Sequence, residues 1–175
     1  LGEVRYDLAF GGAYYAFVEA APLGLRLDGR DTQALIDLGM RIKRAVMAQR
    51  TITHPFDPDL GFLYGTIFTG PAYGASAHSR NVCIFAEGEV DRSPTGTGVS
   101  ARVAIEYATS RLTLGQPFTV ESILGTTFTG RALRETTYGP YRAVVPEVSG
   151  RAWITGQHAF LIAPDDPLRA GFRLT

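Results

Sequence analysis

The 175-residue sequence contains a single cysteine, Cys83, and a single lysine, Lys43. One cysteine excludes an internal disulfide and favours a reducing compartment, so we expect a cytoplasmic protein. Lys43 lies between two arginines on a stretch with helical periodicity, where we expect a solvated surface side chain. Pyridoxal phosphate requires a Schiff-base lysine. We therefore disfavour this cofactor and expect a cofactor-independent protein.

Histidine is also scarce. The three histidines lie far apart, with no i, i+4 pair of the kind that zinc sites use, so we expect no metal site. We expect His54 and His78 to lie in loops with structural or exposed roles, and His158 to face outward from a strand.

No charge of one sign dominates, and long apolar runs are absent. The 17 basic and 17 acidic residues balance, which argues against nucleic acid or an anionic membrane as a partner. No apolar run approaches the about 20 residues of a membrane span. The first residues lack a methionine and the basic-then-apolar pattern of a signal peptide, and they are strand-like from Gly2. We expect the chain to be the later part of a longer protein.

Hydrophobic periodicity predicts an α+β domain with many strands and two helices. The first helix has one apolar face and should cover a sheet, with Asp31 or Thr32 capping its start. The second is apolar most of the way round, so it should be buried and wrapped by a mixed sheet. Strands are predicted at 3–10, 13–19, 62–68, 81–85, 118–123, 126–134, 141–148, 151–155 and 158–162, and helices at about 31–49 and 96–112.

One stretch indicates a binding site: Asp91–Arg102, with the sequence DRSPTGTGVSAR. A short loop of small and hydroxylated residues leads into the second helix at Gly96. Such a loop aims backbone N–H groups and the positive end of the helix dipole at one point, which suits an anion. Asp91 beside it can pair with a cation. An anion and a cation held side by side describe a zwitterionic amino acid.

A dinucleotide-binding loop is a weaker interpretation of this stretch. Gly96–Ala101 matches the loose G-x-G-x-x-A dinucleotide fingerprint, with Glu121 at the distance of a ribose-binding acid. The chain lacks the alternating βαβ pattern of that fold, and a turn separates the preceding strand from the glycines. A phosphate-binding P-loop is excluded because no Lys-Ser or Lys-Thr follows the glycines. Alternatively, Ser93–Gly96 simply starts a helix, as Pro and Thr often do.

The Asp91–Arg102 run closely resembles the second active-site motif of the proline racemase superfamily. The resemblance extends to Asp7–Val18 with its Gly-Gly pair, to Asp59–Thr66, to Asn81–Phe85 and to the ending at Asp166–Phe172. It implies a fold of two similar halves, as in diaminopimelate epimerase, each a sheet around a central helix, with the active site between them. Residues 1–175 would be the C-terminal portion, because the Met-Cys-Gly-His-Gly motif of the first half is absent.

The resemblance also implies roles for single residues. Racemases and epimerases of this family carry a catalytic cysteine where this chain has Thr95, whose hydroxyl is a poor base. This departure is the feature of the dehydratase branch, and it implies dehydration of trans-3-hydroxy-L-proline by one base from the missing half. Carried over from the family, Gly96 and Thr97 bind the carboxylate, Asp91 binds the ring ammonium and Phe85 packs on the ring.

Other possibilities stay open from the sequence alone. Phe85 can be a plain core aromatic and Thr95 a helix cap. Alternatively, Thr95 has a catalytic role, either as a proton donor or by a hydrogen bond to the substrate hydroxyl or to a water. The function can be that of a 4-hydroxyproline epimerase or proline racemase acting through water, or of a non-catalytic amino-acid-binding protein. Cys83 lies in a strand-like run and should be a buried, inert thiol. The sequence leaves the oligomeric state open, a homodimer included.

Overall fold

The computed structural model describes residues 2–172. Within this range the chain forms eight strands and two α-helices, which confirms the α+β class. In chain order they are β1 (Asp7–Phe10), β2 (Tyr14–Glu19), α1 (Thr32–Gln49), β3 (Leu63–Gly70), β4 (Ser79–Phe85), β5 (Glu89–Val90), α2 (Gly96–Ala108), β6 (Phe118–Glu121), β7 (Thr127–Tyr138) and β8 (Tyr141–Ser149).

The strands form one mixed sheet in the order β1-β2-β3-β4-β6-β7-β8, with β5 paired to β4. Two neighbouring pairs, β2 with β3 and β4 with β6, are parallel, and the other pairs are antiparallel. Parallel neighbours need a long crossover connection. The connection from β2 to β3 contains α1, and the connection from β4 to β6 contains α2.

Each helix covers one face of the central strands. Successive strand residues point to opposite faces, so alternate residues of one strand pack under different helices. In β2, Ala16 and Val18 join the core beneath α1, whereas Tyr15 and Phe17 join the core beneath α2. α1 lies unusually close to β4. A Cβ at Gly39 would fall 2.8 Å from the Ile84 side chain, so this helix requires glycine there.

The sheet curls around α2, as the sequence predicts. α2 contacts β1 and β2 on one side and β7 and β8 on the other. A Cβ at Gly130 of β7 would lie 2.7 Å from the Val103 side chain, so glycine allows this close approach. The two ends of the sheet meet where Tyr138 stacks on Phe10, with ring centroids 5.7 Å apart, and its hydroxyl lies 2.9 Å from His54 Nε2. His54 therefore has a structural role.

The predicted end of the second helix, near 112, is wrong. α2 ends at Ala108, and Ser110 adopts a left-handed conformation with φ of 58°. The N–H groups of Arg111 and Leu112 both bond the Glu106 carbonyl, which closes the last turn. Leu112 is buried beside Val103, so its apolar character reflects core packing rather than helix.

The strands predicted at 151–155 and 158–162 are wrong. Residues 150–163 have no regular structure, and the side chains in this segment are exposed. An alternating pattern forms a strand only where a neighbouring strand supplies hydrogen-bond partners, and none pairs with this segment in the described part of the chain. His158 is exposed as expected, although it does not lie on a strand.

Two further expectations about α1 are wrong. Its first residue is Thr32, but neither Asp31 nor any other described side chain caps it; Asp31 binds the Arg26 guanidinium at 2.7 Å instead. Lys43 is half-buried rather than solvated, and its ammonium donates to the Ala86 carbonyl at 2.7 Å. Across residues 2–172, no helix is both long enough and apolar enough to cross a membrane.

Candidate active site

The predicted anion-binding loop lies between β5 and the start of α2. β4 ends at Phe85, a tight turn follows, and β5 returns antiparallel to β4. The N–H of Asp91 then bonds the Cys83 carbonyl at 3.0 Å, which fixes the start of the loop on the sheet. A turn and the two-residue strand β5 therefore separate β4 from the loop, whereas the glycine loop of a dinucleotide-binding fold follows a parallel strand directly.

The carboxylate of Asp91 organises this loop. Its Oδ1 accepts from the Ser93 N–H at 2.8 Å, and its Oδ2 accepts from the Thr95 hydroxyl at 2.8 Å. The Ser93 hydroxyl in turn accepts from the Thr95 N–H at 3.0 Å. Asp91 remains half-buried, so its charge is available to a ligand next to the loop.

Thr95 has an unusual backbone conformation, with φ of 71° and ψ of 106°. A β-branched residue rarely adopts a positive φ, and such strain is found at sites where the surrounding structure imposes it. Thr95 is buried, and its carbonyl accepts the first helical hydrogen bond, from Val99 at 2.7 Å. Its hydroxyl does not cap α2, because it is directed to Asp91.

The first turn of α2 provides the backbone donors. The N–H groups of Gly96, Thr97 and Gly98 lie where an α-helix has no intrahelical acceptor for them. A Cβ at Gly98 would lie 2.5 Å from Ile67 Cδ1, so glycine lets this turn sit directly on the sheet. At Gly96 the nearest atom outside the helix backbone and the chain neighbours, Phe128 Cε2, would be 4.0 Å from such a Cβ, so the same turn is open on its other side.

An aromatic row borders the loop on the α2 face of the sheet. Phe85 stacks on Tyr64 at 5.6 Å with an interplanar angle of 18°, and Tyr64 meets the edge of Tyr15 at 5.8 Å. The hydroxyl of Tyr15 lies 2.7 Å from Thr97 Oγ1. Sequence reasoning missed Tyr15 and Tyr64, because both appear there only as aromatic residues in strands.

Buried polar side chains hold the loop from behind. Asn81, fully buried in β4, donates to the Pro94 carbonyl at 3.3 Å and accepts from Arg102 at 3.5 Å. Arg102 is fixed by Glu106 at 2.6 Å. The structure thus brings together Phe85, Asp91, Thr95, Gly96 and Thr97, the residues that the sequence predicts for the site.

Two residues near the motif are excluded from its chemistry. Cys83 is buried, as the sequence predicts, and burial raises the pKa of its thiol to about 12, which disfavours the reactive thiolate. Glu121 forms a buried ion pair with Arg80 at 2.8 Å, so it cannot serve as a ribose-binding acid. In residues 2–172, no cluster of three or more His, Cys, Asp or Glu could hold a metal ion.

Comparison with known proteins identifies the family. Residues 1–173 match the family described as proline racemase. The chain belongs to the proline racemase family. The family assignment agrees with the resemblance of the Asp91–Arg102 motif.

Two relatives within this family carry the same name. The chain is 45% identical over 174 residues to a trans-3-hydroxy-L-proline dehydratase of Colwellia psychrerythraea, covering 99% of the chain and 49% of that protein. It is 47% identical over 178 residues to the trans-3-hydroxy-L-proline dehydratase of Homo sapiens, with the same two coverages. The chain therefore spans about half the length of the curated relatives it matches.

A solved structure within the family has a similar fold. A hydroxyproline epimerase from Agrobacterium vitis, with bound trans-4-hydroxy-L-proline, superposes with a TM-score of 0.85 at 34% identity. The match covers 99% of the present chain and 49% of the epimerase chain. The curled mixed sheet around α2 is therefore the fold of half of a proline racemase family protein.

Proposed function

We propose that this chain is the C-terminal half of an enzyme that dehydrates trans-3-hydroxy-L-proline to Δ1-pyrroline-2-carboxylate without a cofactor. The observation that carries the proposal is the hydroxyl of Thr95, which donates to Asp91 at the start of α2. A hydroxyl in this position has no accessible base form near neutral pH. This half of the site can therefore bind a substrate, but it cannot remove a proton from carbon.

The named relatives support the reaction, and its chemistry fits one base. A base from the upstream half takes the proton from Cα, and the electrons of that bond form the Cα–Cβ double bond. The Cβ–O bond breaks, and the 3-hydroxyl leaves as water together with the proton that the base has taken from Cα. The resulting enamine tautomerises to the cyclic imine. A hydroxyl on C3 is β to the acidic carbon and can leave in this step, whereas one on C4 cannot.

Each predicted site residue has a specific task in this scheme. The substrate carboxylate binds the N–H groups of Gly96 and Thr97, which stabilise the negative charge that develops on it. Asp91 pairs with the ring ammonium, and Phe85 packs against the pyrrolidine ring. Because its proton is directed to Asp91, Thr95 accepts a hydrogen bond from the ring hydroxyl or from a water and does not act as proton donor.

The partner in this proposal is the upstream half of the same protein. Its curated relatives are twice as long as the chain. The segment from 153 to 172 also exposes large apolar side chains to an extent that is unusual for a soluble surface. These side chains include Trp153 at 63%, Ile154 at 98%, Phe160 at 86% and Leu161 at 98% exposure. We propose that the upstream half covers them and completes the site.

A second candidate is a hydroxyproline epimerase, favoured by the structural similarity to the Agrobacterium vitis protein. Epimerisation in both directions requires a base on each face of Cα. Thr95 could meet that requirement only through an activated water. We therefore place dehydration first.

The test uses the full-length protein, including everything encoded upstream of Leu1. We expect trans-3-hydroxy-L-proline to yield a pyrroline product that borohydride reduces to proline, and trans-4-hydroxy-L-proline to remain unchanged. A full-length protein that binds 3-hydroxyproline but releases no imine would contradict the proposal and favour a binding protein. Deuterium wash-in at Cα of both 4-hydroxyproline epimers would favour the epimerase.

A further inference from the structure

The hairpin of β1 and β2 presses on the first turn of α2, directly beside the candidate site. A Cβ at Gly11 would lie 2.2 Å from the Thr97 carbonyl oxygen and 2.4 Å from the Ala101 nitrogen. A Cβ at Gly12, where φ is 109°, would lie 2.9 Å from Thr97 Cγ2. The two glycines thus allow backbone of the hairpin to contact Thr97, a residue of the proposed carboxylate site.

Tyr15 reaches the same threonine from β2. Its side chain is 1% exposed, and its hydroxyl lies 2.7 Å from Thr97 Oγ1. A buried hydroxyl requires a hydrogen-bond partner, and Thr97 is the one side chain that provides it among residues 2–172. Burial raises the pKa of the Tyr15 phenol, so the group stays protonated and can donate.

These contacts fix the rotamer of Thr97. Its methyl group faces Gly12, and its hydroxyl oxygen faces Tyr15. A threonine side chain has three staggered positions for these groups, and the two contacts select one of them. If Tyr15 donates to Thr97 Oγ1, the proton of Thr97 is free, since no other side-chain hydrogen bond of this hydroxyl occurs in the described chain.

We propose that Tyr15 is a positioning residue that acts through Thr97. By donating to Thr97 Oγ1, it directs the Thr97 proton toward the bound carboxylate, where the hydroxyl supplements the N–H groups of Gly96 and Thr97. The proposed role of Tyr15 rests on the proposed function in one respect, because it requires a ligand that is an amino acid held by its carboxylate.

The experiment measures binding to the full-length protein, so that it does not depend on turnover. L-proline has the carboxylate but no leaving group, and L-prolinamide lacks the carboxylate charge. We expect Tyr15→Phe, which keeps the ring and its packing, to weaken L-proline binding about tenfold in calorimetry. Binding of L-prolinamide should stay within about twofold of wild type. Thr97→Val should give a similar loss, and the double variant should lose no more than either single variant.

The matched control is Tyr107→Phe. Its hydroxyl bonds Glu135 at 2.7 Å near the other end of α2, so L-proline affinity should be unchanged. If Tyr15→Phe lowers the affinity for L-proline and L-prolinamide equally, Tyr15 only supports packing. If the losses of L-proline affinity in Tyr15→Phe and Thr97→Val add in the double variant, the two residues act independently. Either result overturns the proposal, as would wild-type protein that binds both ligands equally. If the wild-type protein binds L-proline more tightly than L-prolinamide but forms no pyrroline from trans-3-hydroxy-L-proline, only the proposed function is overturned.

Discussion

The hydroxyl of Thr95 donates to Asp91 Oδ2 at 2.8 Å, which links the residue at the start of α2 to the carboxylate that organises the loop before it. A carboxylate only accepts hydrogen bonds, so the direction of this bond is certain. The Thr95 hydroxyl also lies within hydrogen-bond reach of the buried Cys83 thiol, and its remaining lone pair is left for a ligand or a water. The bond also helps to hold Thr95 at a positive φ, and hence to hold the carbonyl that begins the helix.

Thr95→Cys in the full-length protein should create a second base. A thiolate at a helix N-terminus is stabilised by the backbone donors, although the neighbouring Asp91 charge opposes its ionisation. We expect trans-4-hydroxy-L-proline to be converted to its Cα epimer, with solvent deuterium at Cα of that epimer, at least about 100-fold faster than with wild type. Mass spectrometry and chiral chromatography measure the two events.

Thr95→Ser is the control for this substitution, because a serine keeps the bond to Asp91 without gaining a base. It should retain dehydration and form no epimer. If the cysteine variant is folded and also forms no epimer, residue 95 does not face the reacting carbon.

Asp91→Asn should weaken substrate binding while the loop keeps its conformation. The amide oxygen of the asparagine can still accept from the Ser93 N–H. The negative charge that we propose to pair with the ring ammonium is lost. Loss of one charge-assisted hydrogen bond should raise KM for trans-3-hydroxy-L-proline about 10- to 100-fold. Asp57→Asn is the matched control, since Asp57 stabilises a distant turn by accepting from Asp59 N–H at 2.9 Å. An unchanged KM would remove Asp91 from the ammonium site.

Gly98→Ala should push the first turn of α2 off the sheet. The added methyl would lie 2.5 Å from Ile67 Cδ1 and 3.1 Å from Thr95 Cβ. We expect a loss of about 1–3 kcal/mol in the free energy of unfolding and a fall in kcat/KM of at least about tenfold, because the donor positions move. Urea titration and steady-state kinetics measure these effects.

A second substitution sharpens this prediction. Ile67→Val removes the Cδ1 atom that the new methyl would strike, so combining it with Gly98→Ala should recover part of both losses. Gly29→Ala is the neutral control, because a Cβ at Gly29 would have no atom within 4 Å apart from those of its chain neighbours. A double variant no better than Gly98→Ala alone would show that this clash is not the cause.

The sequence predicts those helix and strand boundaries that depend only on neighbouring residues. The start of α2 at Gly96 and the span of α1 to Gln49 follow from glycine loops, turn residues and apolar periodicity. The end of α2 does not, since Leu112 continues the apolar pattern but returns to the core beyond the left-handed Ser110. The segment after β8 alternates like a strand, yet pairing depends on a partner and not on the segment alone.

Some residues of the candidate site are likewise predictable from neighbouring sequence, whereas others are found only in the folded structure. Asp91, Thr95, Gly96 and Thr97 lie within seven consecutive positions of the sequence, so one motif reveals them. Tyr15 is 82 residues away from Thr97, and only the folded sheet brings its hydroxyl to that side chain. The role of Glu121 likewise depends on Arg80, which lies on a neighbouring strand.

The ion pair of Arg80 and Glu121 should make stability depend on pH. Burial alone would raise the pKa of Glu121, but Arg80 and the N–H groups of Tyr73 and Gly74 outweigh it and lower this pKa below its ordinary value of 4.5. A carboxyl with a depressed folded-state pKa stabilises the protein above its unfolded pKa. That contribution is lost as the pH falls below 4.5 and through the folded-state value.

Glu121→Gln should therefore lower the free energy of unfolding at pH 7 by about 3 kcal/mol, because it leaves the Arg80 charge buried without its partner. The difference from wild type should shrink as the pH falls below 4.5. Glu147→Gln is the control: its pair with Arg131 is about half exposed, so its loss should cost under about 1 kcal/mol. Urea titrations between pH 3 and pH 8 measure both. A Glu121→Gln deficit that stays constant across this range would mean that the carboxyl charge does not stabilise the fold.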